Sequence, residues 1–106
     1  MFEINGELWR VVAVSRYHPM LKRSDGGWTI GACDDDTKSI YIYEDISPQL
    51  MKKVLCHEIT HAAMFSYDVD LSLQQEELLA DLMATYGQEI ICTANILFKR
   101  IKEKWA

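Results

Sequence analysis

Apolar and polar positions follow two rhythms along this chain, and the rhythm changes near residue 47. From Glu7 to Val14 the run Glu-Leu-Trp-Arg-Val-Val-Ala-Val is rich in β-branched and aromatic residues, which predicts a strand. Trp28 to Cys33 predicts a second strand. Ser39 to Glu44, alternating around Ile40, Tyr41, Ile42 and Tyr43, predicts a third. Between the first two, Arg16 to Gly27 holds Pro19, Gly26 and Gly27 and reads as a loop. Asp34-Asp35-Asp36-Thr37-Lys38 is a polar turn short enough to join the second and third strands as an antiparallel hairpin. Its acids do not make a calcium loop of the EF-hand kind. That loop needs glycine at its sixth position and glutamate at its twelfth, and Ser39 and Asp45 stand there.

Beyond residue 47 the period becomes helical. Ser47 is placed to cap exposed backbone donors, Pro48 suits a first helical position, and the periodic segment runs from Gln49 to about Tyr67. Asp68-Val69-Asp70-Leu71 is a connector. Ser72 with Gln75 forms a capping box, so a second helix opens at Leu73 and runs to Tyr86. Gly87 bends or ends it, or the helix continues through Ile90 to Lys104. Basic residues between Lys99 and Lys104 complement the negative end of a helix dipole, a structural reading preferred here to a nucleic-acid patch. The expected fold is therefore α+β: a small, mostly antiparallel sheet of three strands on two or three helices.

Composition narrows the class. At 106 residues, with 49% hydrophobic and 25% charged residues, the chain has material for one folded domain and too much apolar content for disorder. A formal charge of −5 makes it a poor general attractor for nucleic acid. The stretch from Met1 to Glu7 carries two acids and no apolar signal core, and no run approaches membrane-spanning length. A soluble cytoplasmic protein without membrane partners is therefore expected. Cys33, Cys56 and Cys92 form no spaced pair and read as free thiols.

The segment that carries chemistry is His57-Glu58-Ile59-Thr60-His61. Residues four apart share a helix face, so His57 and His61 aim at one point. Glu58 lies roughly 100° round from His57, where its carboxylate reaches a metal-held water without being a ligand. Two neutral imidazoles suit Zn²⁺. The three residues fall inside the apolar arc of the helix, with Leu50, Val54, Met64 and Phe65 around them, and burial there without a cation would be costly. On the second helix Glu77 and Asp81 are four apart. Glu77 offers a third ligand, and Asp81 an acceptor for the free N–H of one histidine. Glu76 competes with Glu77 for the ligand role, but it lies on a different face from Asp81. Fifteen residues between His61 and Glu77 suffice to fold the second helix back across the first. Cys56 points away from His57. His18, before Pro19, and the hydroxyls of Tyr67 and Tyr86 are weaker candidates for contacts to a transition state; a loop position and packing are the plainer readings.

His57-Glu58-x-x-His61 followed by Glu77-x-x-Ala80-Asp81 resembles the gluzincin metallopeptidases. The short spacing most resembles the ImmA/IrrE-type peptidases, many of them encoded by phages and mobile elements; minimal gluzincin peptidases of similar length are a second close match. The likeness covers about Pro48 to Gly87 by motif, and the strands by order and type only. It implies that His57, His61 and Glu77 bind one Zn²⁺, that Glu58 is the general base and acid, that Asp81 supports a histidine, and that the substrate is a protein or peptide. It also implies an edge strand above the motif helix. ImmA/IrrE-type proteins often carry further domains or a longer C-terminal part; neither is read within these 106 residues. Small gluzincins can be latent, with the tail in the cleft, and Phe98 to Ala106 is long enough for that. The alternative expectation is a latent or non-catalytic zinc-binding interaction module, its site closed by a fourth ligand such as a tail carboxylate or His18.

Overall fold

The computed structural model describes residues 1–105. Four strands form one mixed sheet in the order β1-β2-β4-β3: β1 is Phe2–Ile4, β2 Glu7–Val14, β3 Gly31–Asp34 and β4 Ser39–Tyr43. The helices are α1 (Pro48–Ser66), α2 (Leu73–Leu82) and α3 (Gln88–Trp105), the last two joined by a π-helical segment, Met83–Gly87. The α+β class is as expected. Two features of the sheet correct the expectation of three mostly antiparallel strands.

First, β1 is an additional strand, paired antiparallel to β2 through a two-residue turn. Asn5 and Gly6 both have positive φ, 48° and 78°, the backbone that a tight hairpin turn with matching twist requires. Asn-Gly is a strong sequence signal for such a turn, but the three residues before it are too few to display any periodicity. Second, β2 pairs with β4 in parallel, with Val12 opposite Tyr41. A parallel neighbour needs a crossover. Residues 15–30 supply it, packing as a 3₁₀ turn (Pro19–Leu21) that buries Leu21 completely under the sheet. The chain then enters β3 on the far side of β4. β3 also begins later than expected, at Gly31 and not Trp28.

Alternation along β4 divides the core. Ile40 and Ile42 face α1 and pack with Trp9, Val54 and Ala62. Tyr41 faces the other way and packs with Val14 and Leu21. The far end of α1 is tied to the sheet by a buried hydrogen bond in which Trp9 Nε1 donates to Ser66 Oγ at 2.8 Å. α1 stops without glycine: Asp68 takes φ 51°, while the Val69 and Asp68 amides donate to the carbonyls of Met64 and Phe65. At the start of each helix the expected caps are present, Ser47 on the Leu50 amide and the reciprocal pair Ser72–Gln75. The acidic turn is a hairpin connection in which Lys38 pairs with Asp35 and Glu7.

Among the described residues no helix is long and apolar enough to cross a membrane.

Candidate metal centre

α1 carries His57, Glu58 and His61 on the side that meets β3 and α2. Glu58 and His61 are buried, and His57 is half-buried. β3 can come close because Gly31 has no side chain. A Cβ there would stand 2.5 Å from Val54 Cγ1 and 3.3 Å from Glu58 Cγ. Overpacking at such a contact costs about 1–3 kcal/mol. Gly31→Ala is therefore expected to lower the melting temperature and loosen metal binding together, as thermal unfolding with and without added metal would read out.

The histidines converge from one helix, and α2 brings acids from the other side. His57 Nε2 and His61 Nε2 stand 3.2 Å apart. The Glu77 carboxylate reaches both, at 2.9 Å from His61 Nε2 and 3.4 Å from His57 Nε2. Glu76 accepts from His61 Nδ1 at 2.6 Å, and the Asp81 carboxylate stands 3.1 Å from His57 Nδ1. An ionised carboxylate only accepts, so neutral His61 carries its proton on Nδ1 and presents Nε2 as a lone pair, and the nearby Asp81 favours the same tautomer of His57. Two lone pairs and a carboxylate then point at one another. A cation at their focus relieves that repulsion, and the donor atoms of His57, His61 and Glu77 all lie within 4.8 Å of one another. This group could hold a metal ion.

Glu76 has a role that sequence reasoning missed. Helical spacing offers it only as a ligand competing with Glu77, and its position on another face of the helix from Asp81 counts against it. That position is what its task needs. The two imidazoles are anchored from opposite sides, so the acids that anchor them must diverge around Glu77.

Glu58 stands 3.8 Å from His57 Nε2 without sharing the histidines' focus. Burial pushes its carboxyl above the ordinary 4.5, as Glu77 also does, while His57 and His61 oppose the rise. It separates two pockets. One, of about 290 Å³, is lined by Ile30, Leu50, Lys53, Val54 and Ala84 among others. The second, of about 280 Å³, is lined by Cys33, Phe65, Leu73 and Glu76 among others. β3 is an edge strand along both. The Tyr43 amide donates to the Ile30 carbonyl, so Ile30 and Ala32 are the residues that bond β4. By the alternation of an antiparallel ladder, Gly31 and Cys33 turn their backbone groups outward over the cleft.

Burial, reinforced by Glu58, pushes the Cys33 thiol up to about 12. Cys56 donates its thiol to the Met83 carbonyl at 3.3 Å and is no ligand. Cys92 is exposed. Thiol reactivity follows the thiolate and access to it. Brief alkylation of the folded protein is expected to label Cys92 first and Cys33 last, as peptide mass mapping over time would show.

The weaker candidates lie elsewhere. His18 stacks on Tyr41 with ring centroids 5.4 Å apart, and its Nδ1 accepts from the Met20 amide. Tyr41 belongs to the sheet face turned away from α1, so His18 is on that far side. Tyr67 caps α1 and Tyr86 sits on the π segment; both are more than half exposed, and neither lines the two pockets. The tail does not fill the cleft: residues 88–105 form α3, which lines neither pocket, while Ala106 lies outside the described residues.

The chain matches no protein-family model, no curated protein and no solved structure.

Proposed function

We propose that this chain is a zinc-dependent peptidase of the gluzincin kind, with a peptide substrate laid along β3. The observation that carries the reading is an acid at the Nδ1 of each histidine with a third acid, Glu77, at both Nε2 atoms. Glu76 holds His61 by a hydrogen bond and Asp81 stands beside His57 Nδ1, an arrangement that turns both Nε2 atoms toward Glu77. Two nitrogens and a carboxylate in that arrangement suit Zn²⁺, and three protein ligands leave a position for water. Zn²⁺ bound there would lower the pKa of its water toward about 7 and polarise a carbonyl.

The chain's own residues supply the rest. The outward backbone groups of Gly31 and Cys33 pair with an extended peptide, as edge strands do with added strands. Flanking side chains then enter the pockets on either side of Glu58. Glu58 takes the proton of the attacking water and returns it to the leaving amine. Its raised proton affinity suits both transfers. An open site is favoured over a closed one because His18 and α3, the candidate sources of a fourth ligand, lie away from the focus. A phage or mobile-element origin accords with the motif spacing alone.

Metal analysis beside two variants tests the assignment. Glu77→Ala is expected to lose stoichiometric zinc, and Glu58→Gln to retain it. Equal zinc content in parent and Glu77→Ala would remove Glu77 from the ligand set.

A further inference from the structure

The long helical stretch from α2 to α3 carries an apolar stripe on the side away from α1. Leu78, Leu82, Tyr86, Ile90, Leu97 and Ile101 are between 42% and 71% exposed. Their spacings are four, four, four, seven and four. In an unbroken α-helix each step of four drifts about 40° round the axis. By Ile90 the stripe would have turned through about a third of the circumference. The π segment, with its wider turn, takes back most of that drift. The six side chains thus stand close to one straight line across two helices.

These six, with Phe98 at the flank, expose on the order of 800 Å², what one partner contributes to a stable interface of standard size. α3 packs chiefly against the π segment it grows from. The radius of gyration, 16.1 Å, exceeds the roughly 13 Å of a compact chain this long. Charge is divided along the same stretch. α2 carries Glu76, Glu77 and Asp81 and no basic residue, whereas Lys99 to Lys104 holds four basic residues against one acid.

We infer that this stripe is the interface of a two-fold dimer, with the helical stretch of one protomer running antiparallel to that of a second copy. The stripe is centred near Ile90, so full overlap sets Ile90 beside the partner's Ile90 and Leu82 beside the partner's Phe98. The same register brings the basic end of α3 level with the acidic α2 of the partner, with Arg100 beside the partner's Asp81, whose side chain is 70% exposed at the flank of the stripe. Opposite charges then lie at the same level at both ends, and a two-fold axis makes the arrangement twice. Parallel pairing would set base against base. An anionic membrane surface fits less well, because the half of the stripe on α2 is flanked by acids. The dimer does not require a bound metal, although Asp81 at the flank of the stripe also neighbours His57.

Sedimentation equilibrium from about 1 to 100 µM tests it, with circular dichroism to follow helix content. The parent is expected to reach twice its 12.3 kDa mass. Leu97→Glu, an exposed position, is expected to stay helical and monomeric. Arg100→Glu with Lys104→Glu is expected to weaken association at least tenfold at low salt. With Cys92 replaced by serine, Ile90→Cys is expected to cross-link under mild oxidation and Ile101→Cys not to. A monomeric parent at 100 µM would overturn the inference, whether or not it pelleted with anionic phosphatidylserine vesicles. So would a dimer that survives Leu97→Glu, or cross-linking through Ile101→Cys as complete as through Ile90→Cys.

Discussion

Glu58→Gln is expected to abolish turnover while leaving zinc in place and making the metal-free protein more stable. On the proposed mechanism the side chain carries a proton in both directions, and a positioned general base and acid is worth roughly 10²–10⁴-fold. An amide of the same shape fills the same space and carries no proton. Peptide hydrolysis at the parent rate in this variant would dismiss Glu58 from the reaction. The gain in stability follows from burial. The carboxyl's folded value lies above the ordinary 4.5 chiefly because charge is disfavoured in its surroundings. Between the unfolded and the folded value the native state therefore holds the extra proton. This contribution to stability is present below about 4.5 and is lost as pH rises through the raised value. Thermal melts of metal-free parent and Glu58→Gln across pH 4–8 should diverge as pH rises, with the variant higher. Parallel melting curves would mean that burial of this charge has no cost.

The second large effect concerns the metal. A ligand that binds only the folded state stabilises it by about 4 kcal/mol when present at a thousand times its dissociation constant. For a domain of this size each kcal/mol moves the midpoint by roughly 4–8 °C. Chelation of the zinc-loaded protein is thus expected to lower its melting temperature by about 15–30 °C. Glu77→Ala should melt with little response to chelator. Glu76→Gln should fall between, since it weakens the anchor on His61 without removing a ligand; loss of such outer contacts costs roughly 10–100-fold in metal affinity. An unchanged midpoint on chelation of the parent would deny the ion a part in holding α1 and α2 together.

Much of the site is legible in the sequence because it is built from local spacing. His57 and His61 share a face by helical period alone, and Glu77 and Asp81 do the same on α2, whose start is marked by Ser72 and Gln75. Glu76 is harder to read. Its function depends on where the second helix crosses the first, which no wheel diagram of one helix contains. The sheet divides in the same way. β2, β4 and their burial follow from residue type, but the parallel contact between them comes from a crossover whose path is set by Leu21 finding a place under the sheet. β1 escapes a reading by periodicity, although Asn5-Gly6 announces its turn. Helix α2 stops short of the expected Tyr86; the extra residue taken up in Met83–Gly87 has no signature beyond Gly87, whose missing side chain leaves room for Met83.

The Trp9–Ser66 hydrogen bond spans 57 positions in sequence, and Asn5 reaches the Ser66 carbonyl across 61. Contacts so distant along the chain are entropically slow to form. The local hairpin of β1 and β2 gains these two ties only once α1 has been synthesised and wound as far as Ser66. Until then the Trp9 indole lacks Ser66, its buried hydrogen-bond acceptor.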